Sequence, residues 1–161
     1  MRLTPVQAAR APTVNLIDAN GVGAAIGTVT FKDAEKGPLI IPALSGLPPG
    51  ARGFHIHEKG ACEPGELNGK KVAGTAAGGH YDPQHTSKHL GPYHAGGHAG
   101  DLPELVVAPD GKGTRPVLAP HPTVNDIRGC TIMIHAGGDN YSDQPAPLGG
   151  GGARIACGVI K

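Results

Sequence analysis

Residues 80–101, HYDPQHTSKHLGPYHAGGHAGD, carry five histidines and two aspartates in twenty-two positions. Neutral imidazole nitrogens and carboxylate oxygens are ligands for transition metals, and a mixed set of the two suits tetrahedral zinc. These histidines cannot form the face of a helix. His80, His85, His89, His94 and His98 recur every four or five residues, and Pro83, Gly91, Pro92, Gly96, Gly97 and Gly100 interrupt any regular backbone. The segment reads as an irregular loop that needs something other than apolar packing to hold it.

A second group lies upstream, in Phe54-His55-Ile56-His57. In a strand, alternate side chains share a face, so His55 and His57 point one way, about 7 Å apart, and Phe54 and Ile56 the other. Alone, this pair is more often two ordinary surface histidines. His135 ends the apolar run Cys130-Thr-Ile-Met-Ile-His, where the same parity puts Ile132 and Ile134 on the opposite face. His80 follows Gly78-Gly79, where backbone can approach closely. Histidine alone in a flatter arrangement suits Cu(II), so this one set of side chains could serve two metals.

The elements that must position these groups are short strands. Alternating or continuous apolar runs of strand length occupy 14–19, 22–31, 38–44, 52–57, 103–108, 114–119, 129–135 and 155–160, with Gly, Pro, Asn or Asp in nearly every gap. Eight such runs predict an antiparallel sandwich or barrel. Thr123 and Asp126 resemble a capping box opening one brief helical turn before Gly129. Two connections are long, 58–102 without a convincing element and 136–154 nearly free of apolar side chains, and loops of that size are usually functional or disordered. No internal repeat is found.

Composition sets the limits. The 161 residues fit one domain, 1–161, with 1–13 read as a flexible N-terminal segment. The 14 basic and 13 acidic residues leave a net charge of +1, so no nucleic-acid footprint stands out. No apolar run is long enough for a membrane helix. With no Trp and only Phe31, Phe54, Tyr81, Tyr93 and Tyr141 as aromatics, the core must be Val, Ile, Leu and Ala. The segment MRLTPVQAARAPTV lacks the apolar stretch of a secretory signal, which leaves a cytosolic chain or one whose signal has been replaced by a start Met. Three cysteines, Cys62, Cys130 and Cys157, allow at most one pair and one free thiol.

GFHIHEKGAC (53–62), AAGGHYDP (76–83), KHLGPYHAGGHAGDLP (88–103) and MIHAGGDNYSDQPAPLGGGGARIACGVIK (133–161) together resemble copper/zinc superoxide dismutases, and more narrowly their bacterial, mostly periplasmic branch. The likeness runs from about Val14 to Lys161. It implies an all-β, eight-stranded antiparallel Greek-key barrel or sandwich of immunoglobulin-like kind with two long functional loops, an architecture already established for that family. It implies copper ligands at His55, His57, His80 and His135, and zinc ligands at His80, His89, His98 and Asp101, with His80 bridging a redox-cycling copper to a structural zinc. The implied reaction is dismutation of superoxide to dioxygen and hydrogen peroxide, with His80 giving a proton to the product. Asp139 matches the aspartate that links a copper histidine to a zinc histidine, and Arg154 the arginine that docks the anion. Cys62 and Cys157 match the family disulfide, which would add about 4–5 kcal/mol in the chain-entropy account. Such a bond favours an oxidising compartment, hence an exported, periplasmic protein.

The resemblance also implies a superoxide-only partnership, with no nucleic acid or membrane, in a monomer or homodimer. His85, His94 and His121 have no place in the pattern and read as exposed loop histidines. Cys130 reads as a buried, inert residue. Lys70 and Lys71 could steer superoxide or simply be a solvated surface.

Overall fold

A computed structural model of the chain describes residues 10–120 and 126–161. The strands are β1 (Thr13–Asp18), β2 (Gly21–Ala34), β3 (Gly37–Leu44), β4 (Gly50–Arg52), β5 (Phe54–His57), β6 (Gly65–Leu67), β7 (Lys70–Val72), β8 (Leu105–Val107), β9 (Val117–Leu118), β10 (Thr131–His135) and β11 (Arg154–Val159). Seven of them form one antiparallel sheet in the order β5-β10-β11-β1-β2-β3-β9, and β4 pairs with β8. All eight apolar runs contain strand, and the sheet curls into the expected Greek-key barrel.

Period-two burial shows why these runs pair. In β3, Pro38, Ile40, Pro42 and Leu44 turn inward, and they lie opposite the β2 residues Asp33, Phe31, Val29 and Gly27. The barrel interior is filled by Val14, Val29, Ile40, Phe54, Ile56, Leu105, Ile132, Ile134, Ile160 and their neighbours. Fully burying side chains of this size is worth about 1.5–3 kcal/mol each. Phe31 and Phe54 join the aliphatic residues in this core, so the core is less purely aliphatic than composition suggested. A smaller cluster, Ile17, Cys62, Ala77, Met133 and Cys157, packs against the outside of the wall.

Four details differ from the sequence reading. The run 52–57 is two strands rather than one: at Gly53 the chain leaves β8 and joins β10, with the Gly53 N–H donating to Gly137 O at 2.8 Å. The connection 58–102 is not structureless, because β6 and β7 form a hairpin there, followed by a single 3-10 turn at Thr75–Ala77. That hairpin keeps its apolar residues, Leu67 and Val72, exposed, yet Asn68-Gly69 is a strong two-residue turn signal, and both residues have positive φ, 53° and 79°. The connection 136–154 also contains a short 3-10 segment, Pro147–Gly150. Finally, pairing reaches back before Val14, since Arg10 bridges Phe31 and the Val29 N–H donates to Pro12 O. The expected turn beginning at Thr123, and His121, fall largely or wholly outside the described residues. No helix among the described residues is long and apolar enough to cross a membrane.

The long loop returns along the outer edge of β5. The Tyr81 N–H donates to Ile56 O at 2.7 Å, the Ile56 N–H to Gly100 O at 2.8 Å, and the Gly100 N–H to Tyr81 O at 2.9 Å. A side chain at Gly100 would put its Cβ 2.4 Å from Ile56 O, so only glycine fits this crossing.

Candidate metal centre

Parity and edge pairing assemble the site on the outside of the barrel. His55 and His57 lie opposite Met133 and Thr131 on β10, with their rings 6.5 Å apart, while Phe54 and Ile56 enter the core. Isolated bridges pair His57 with His80 and His55 with Asp101, so the loop delivers both residues to the histidine face of β5. An irregularity between Ile134 and His135 sets His135 opposite Arg154.

Hydrogen bonds fix the tautomer of each ring. His55 Nε2–H donates to Asp139 Oδ2 at 2.7 Å, His57 Nδ1–H to Gly78 O at 2.9 Å, and His135 Nδ1–H to Gly152 O at 3.3 Å. Each neutral ring has one N–H, so Nδ1 of His55 and Nε2 of His57 and His135 are left as lone pairs. The last two face each other at 3.4 Å. His80 Nδ1–H donates to Asp101 Oδ1 at 2.8 Å, leaving His80 Nε2 turned toward the same place. Potential ligand atoms of His55, His57, His80 and His135 all lie within 4.8 Å of one another.

The second focus is the Asp101 carboxylate. Nδ1 of His89 and of His98 lie 2.9 and 3.2 Å from its Oδ2. The tight group here is His55, His80, His89 and Asp101; His98 stands just outside it, its ring 5.1 Å from that of His80. Asp139 joins the two foci: Oδ1 accepts from His89 Nε2–H at 2.7 Å, while Oδ2 holds His55. A Cβ at Gly149 would fall 2.0 Å from Asp139 Oδ1, so glycine there lets the second loop pass over the aspartate.

Electrostatics match this geometry. Burial pushes His57 well below its ordinary range, and lowers His80 to about 4 and His135 to about 3. Burial also opposes a charge on His89, but the carboxylates of Asp101 and Asp139 prevail and raise it to about 9. Burial works against ionised Asp101 and Asp139 too, yet their bonded imidazoles hold both far below the usual carboxylate range.

The buried atoms that find no hydrogen-bond partner include His55 Nδ1, His80 Nε2, His89 Nδ1, His98 Nδ1 and Asp101 Oδ2. Orphaned buried polar atoms are costly. All five could act as ligand atoms and they converge from neighbouring residues, so the donor set fits two transition-metal cations.

Half-buried Arg154 donates from Nη1 to Gly74 O at 2.8 Å, and its charge helps lower His57 and His135. Cys62 and Cys157 form a disulfide, and Cys130 is a buried free thiol raised by desolvation. His85 and His94 are exposed, as are Lys70 and Lys71 on β7. Sequence reasoning missed the carbonyls of Gly74, Gly78 and Gly152, which no side-chain pattern signals. It also missed Glu104 and Tyr141, which bond to Asp139.

Residues 25–160 match the copper/zinc superoxide dismutase family. The chain is 55% identical to a Cu-Zn superoxide dismutase of Escherichia coli K12 over 149 residues, covering 92% of this chain and 86% of that one. Among solved structures, the Brucella abortus Cu/Zn superoxide dismutase superposes with a TM-score of 0.93 at 46% identity, over 96% of this chain and all (100%) of the other. The monomeric Salmonella enterica copper, zinc enzyme gives 0.85 at 54% identity, with 96% and 100% coverage.

Proposed function

The chain belongs to the copper/zinc superoxide dismutase family, and we propose on that footing which of its side chains does what. The enzyme converts two superoxide anions and two protons to dioxygen and hydrogen peroxide. His55, His57, His80 and His135 would hold copper, and His80, His89, His98 and Asp101 would hold zinc. The observation that carries this assignment is the convergence of unpartnered, buried ligand atoms on the two foci, with one nitrogen of His80 aimed at each. For zinc we choose His98 over His55, because His55 shares the copper group and His98 presents an orphaned Nδ1 to Asp101.

Bound copper supplies the one-electron acceptor and donor that disproportionation requires, and zinc a redox-inert charge. The chain does the rest. Arg154 stays charged at any working pH and presents a planar donor to a small anion, while Gly74 O fixes one of its nitrogens. His57 and His135 are oriented by carbonyls, so neither ring can turn its N–H toward the site without breaking a bond. His80 Nε2 is the atom at which the chain can hold a proton for the peroxide product. The buried disulfide supports an oxidising compartment, and we propose the periplasm. Every ligand comes from one chain, which we take to be a single domain over 1–161, so a monomer or a homodimer would serve equally.

Superoxide decay in a stopped-flow cell, normalised to bound copper, tests this assignment. Arg154→Ala removes a charged contact worth about 1.5–3 kcal/mol and should slow decay by about tenfold or more. Raised ionic strength should slow the native enzyme as well. Copper fully bound with no decay above buffer would make the chain a metal-binding module instead.

A further inference from the structure

We infer that Glu104 is a positioning residue for the metal centre, acting through Asp139 from outside either ligand set; this rests on the assignment of His55 and His89 to the two metals. Glu104 follows Asp101 by three residues, where the long loop turns into β8. Its Oε2 accepts the Asp139 backbone N–H at 2.9 Å. Its own backbone N–H donates to the Tyr141 hydroxyl at 3.1 Å, and the Tyr141 N–H returns to Asp139 Oδ1 at 2.8 Å. Three residues from two loops thus close a ring of hydrogen bonds around the aspartate that holds one histidine of each metal.

The ring matters because Asp139 cannot orient itself. The terminal torsion of an aspartate is broad, so where its carboxylate points depends on what fixes its backbone and oxygens. Any tilt would be passed to both His55 and His89. Glu104 supplies a charge-assisted acceptor, the stronger kind, for the backbone N–H of that residue. Tyr141 is held at φ 59°, a left-handed conformation that L side chains disfavour. Its side chain also fills the space beside Gly91, where an added Cβ would come within 2.6 Å of Tyr141 Cβ. A disfavoured backbone held by these bonds, next to the bridging carboxylate, is where strain at a functional site is expected.

The test is zinc release from the fully loaded protein into a chelating dye, with the visible spectrum of cobalt(II) in the zinc position as a second readout. Glu104→Ala should release zinc about tenfold faster, the lower end of the range for groups that support ligands. Glu104→Gln keeps an acceptor oxygen and should stay within about threefold of wild type, and Tyr141→Phe, which loses one side of the ring, should fall between. The cobalt spectrum should change in Glu104→Ala and not in Glu104→Gln. A purely structural role would lower the thermal midpoints of the metal-free and loaded proteins equally and leave both readouts unmoved, which overturns the inference. Should Glu104→Ala fail to fold, Tyr141→Phe decides: faster release supports the ring, and wild-type release overturns it. A wild-type protein with no tetrahedral cobalt spectrum would instead overturn the ligand assignment beneath it.

Discussion

Asp139→Asn is the sharpest perturbation of the centre, because it keeps the shape and removes one acceptor. The carboxylate now takes three N–H donors: His55 Nε2 on Oδ2, and His89 Nε2 and the Tyr141 amide on Oδ1, at 2.7, 2.7 and 2.8 Å. An amide can offer its oxygen to one ring only, and its NH2 then faces an imidazole N–H. That ring must break contact or swap tautomer, and a swap puts a proton on the very nitrogen meant for the metal. The negative charge that helps hold His89 up to about 9 is lost at the same time. Groups that orient metal-bound histidines are worth about 10–100-fold in affinity, or about 1.4–2.7 kcal/mol. We expect zinc to bear this loss. Copper should lose less, since His57 and His135 are oriented by carbonyls that the substitution leaves in place. Competition of the metal-free protein against chelators of known affinity reads both numbers, and nitrogen NMR of the rings reads the tautomers. Both metals bound within threefold of wild type, with unchanged tautomers, would refute the reasoning.

The metal-free protein should be most stable near pH 6.5. His80 and His135 are lowered to about 4 and 3, so their contribution is full above the ordinary histidine value of about 6.5 and drains away as pH falls through 4 and 3. His89 is raised to about 9, so its contribution is full below about 6.5 and is lost as pH rises through 9. Denaturant unfolding across pH 4–10 tests this, and a steady rise from 5 to 9 would contradict it. Separately, replacing Cys62 and Cys157 by Ala removes a link spanning 95 residues, worth about 4–5 kcal/mol, which at this size lowers Tm by roughly 10–20 °C. A shift under 3 °C, taken as a rough limit, would mean the bond constrains little.

The barrel was legible because its strands were: in β10, Ile132 and Ile134, read as facing away from His135, enter the core, and the parity that separates His55 from Phe54 also places the site. What stayed hidden has no pattern to read. The break at Gly53 lies inside what reads as one strand-length stretch, 52–57, and the hairpin at 65–72 is largely exposed, leaving only Asn68-Gly69 to announce it. Histidine and aspartate ligands declare themselves by type, whereas the carbonyls of Gly74, Gly78 and Gly152 belong to a backbone that every residue shares. The 80–101 loop was read as needing something other than apolar packing to hold it, and the bonds from Tyr81 and Gly100 to Ile56 supply one restraint that needs no ion.

Those bonds have a further effect on how the protein behaves among copies of itself. β5 ends the seven-stranded sheet, and an uncovered terminal strand is a template on which another chain can add a strand and begin to aggregate. In this chain the N–H and C=O of Ile56 are already spent on Gly100 and Tyr81. The segment that delivers metal ligands therefore also shields the sheet's border from self-association. Whatever loosens that segment puts solubility at risk along with chemistry.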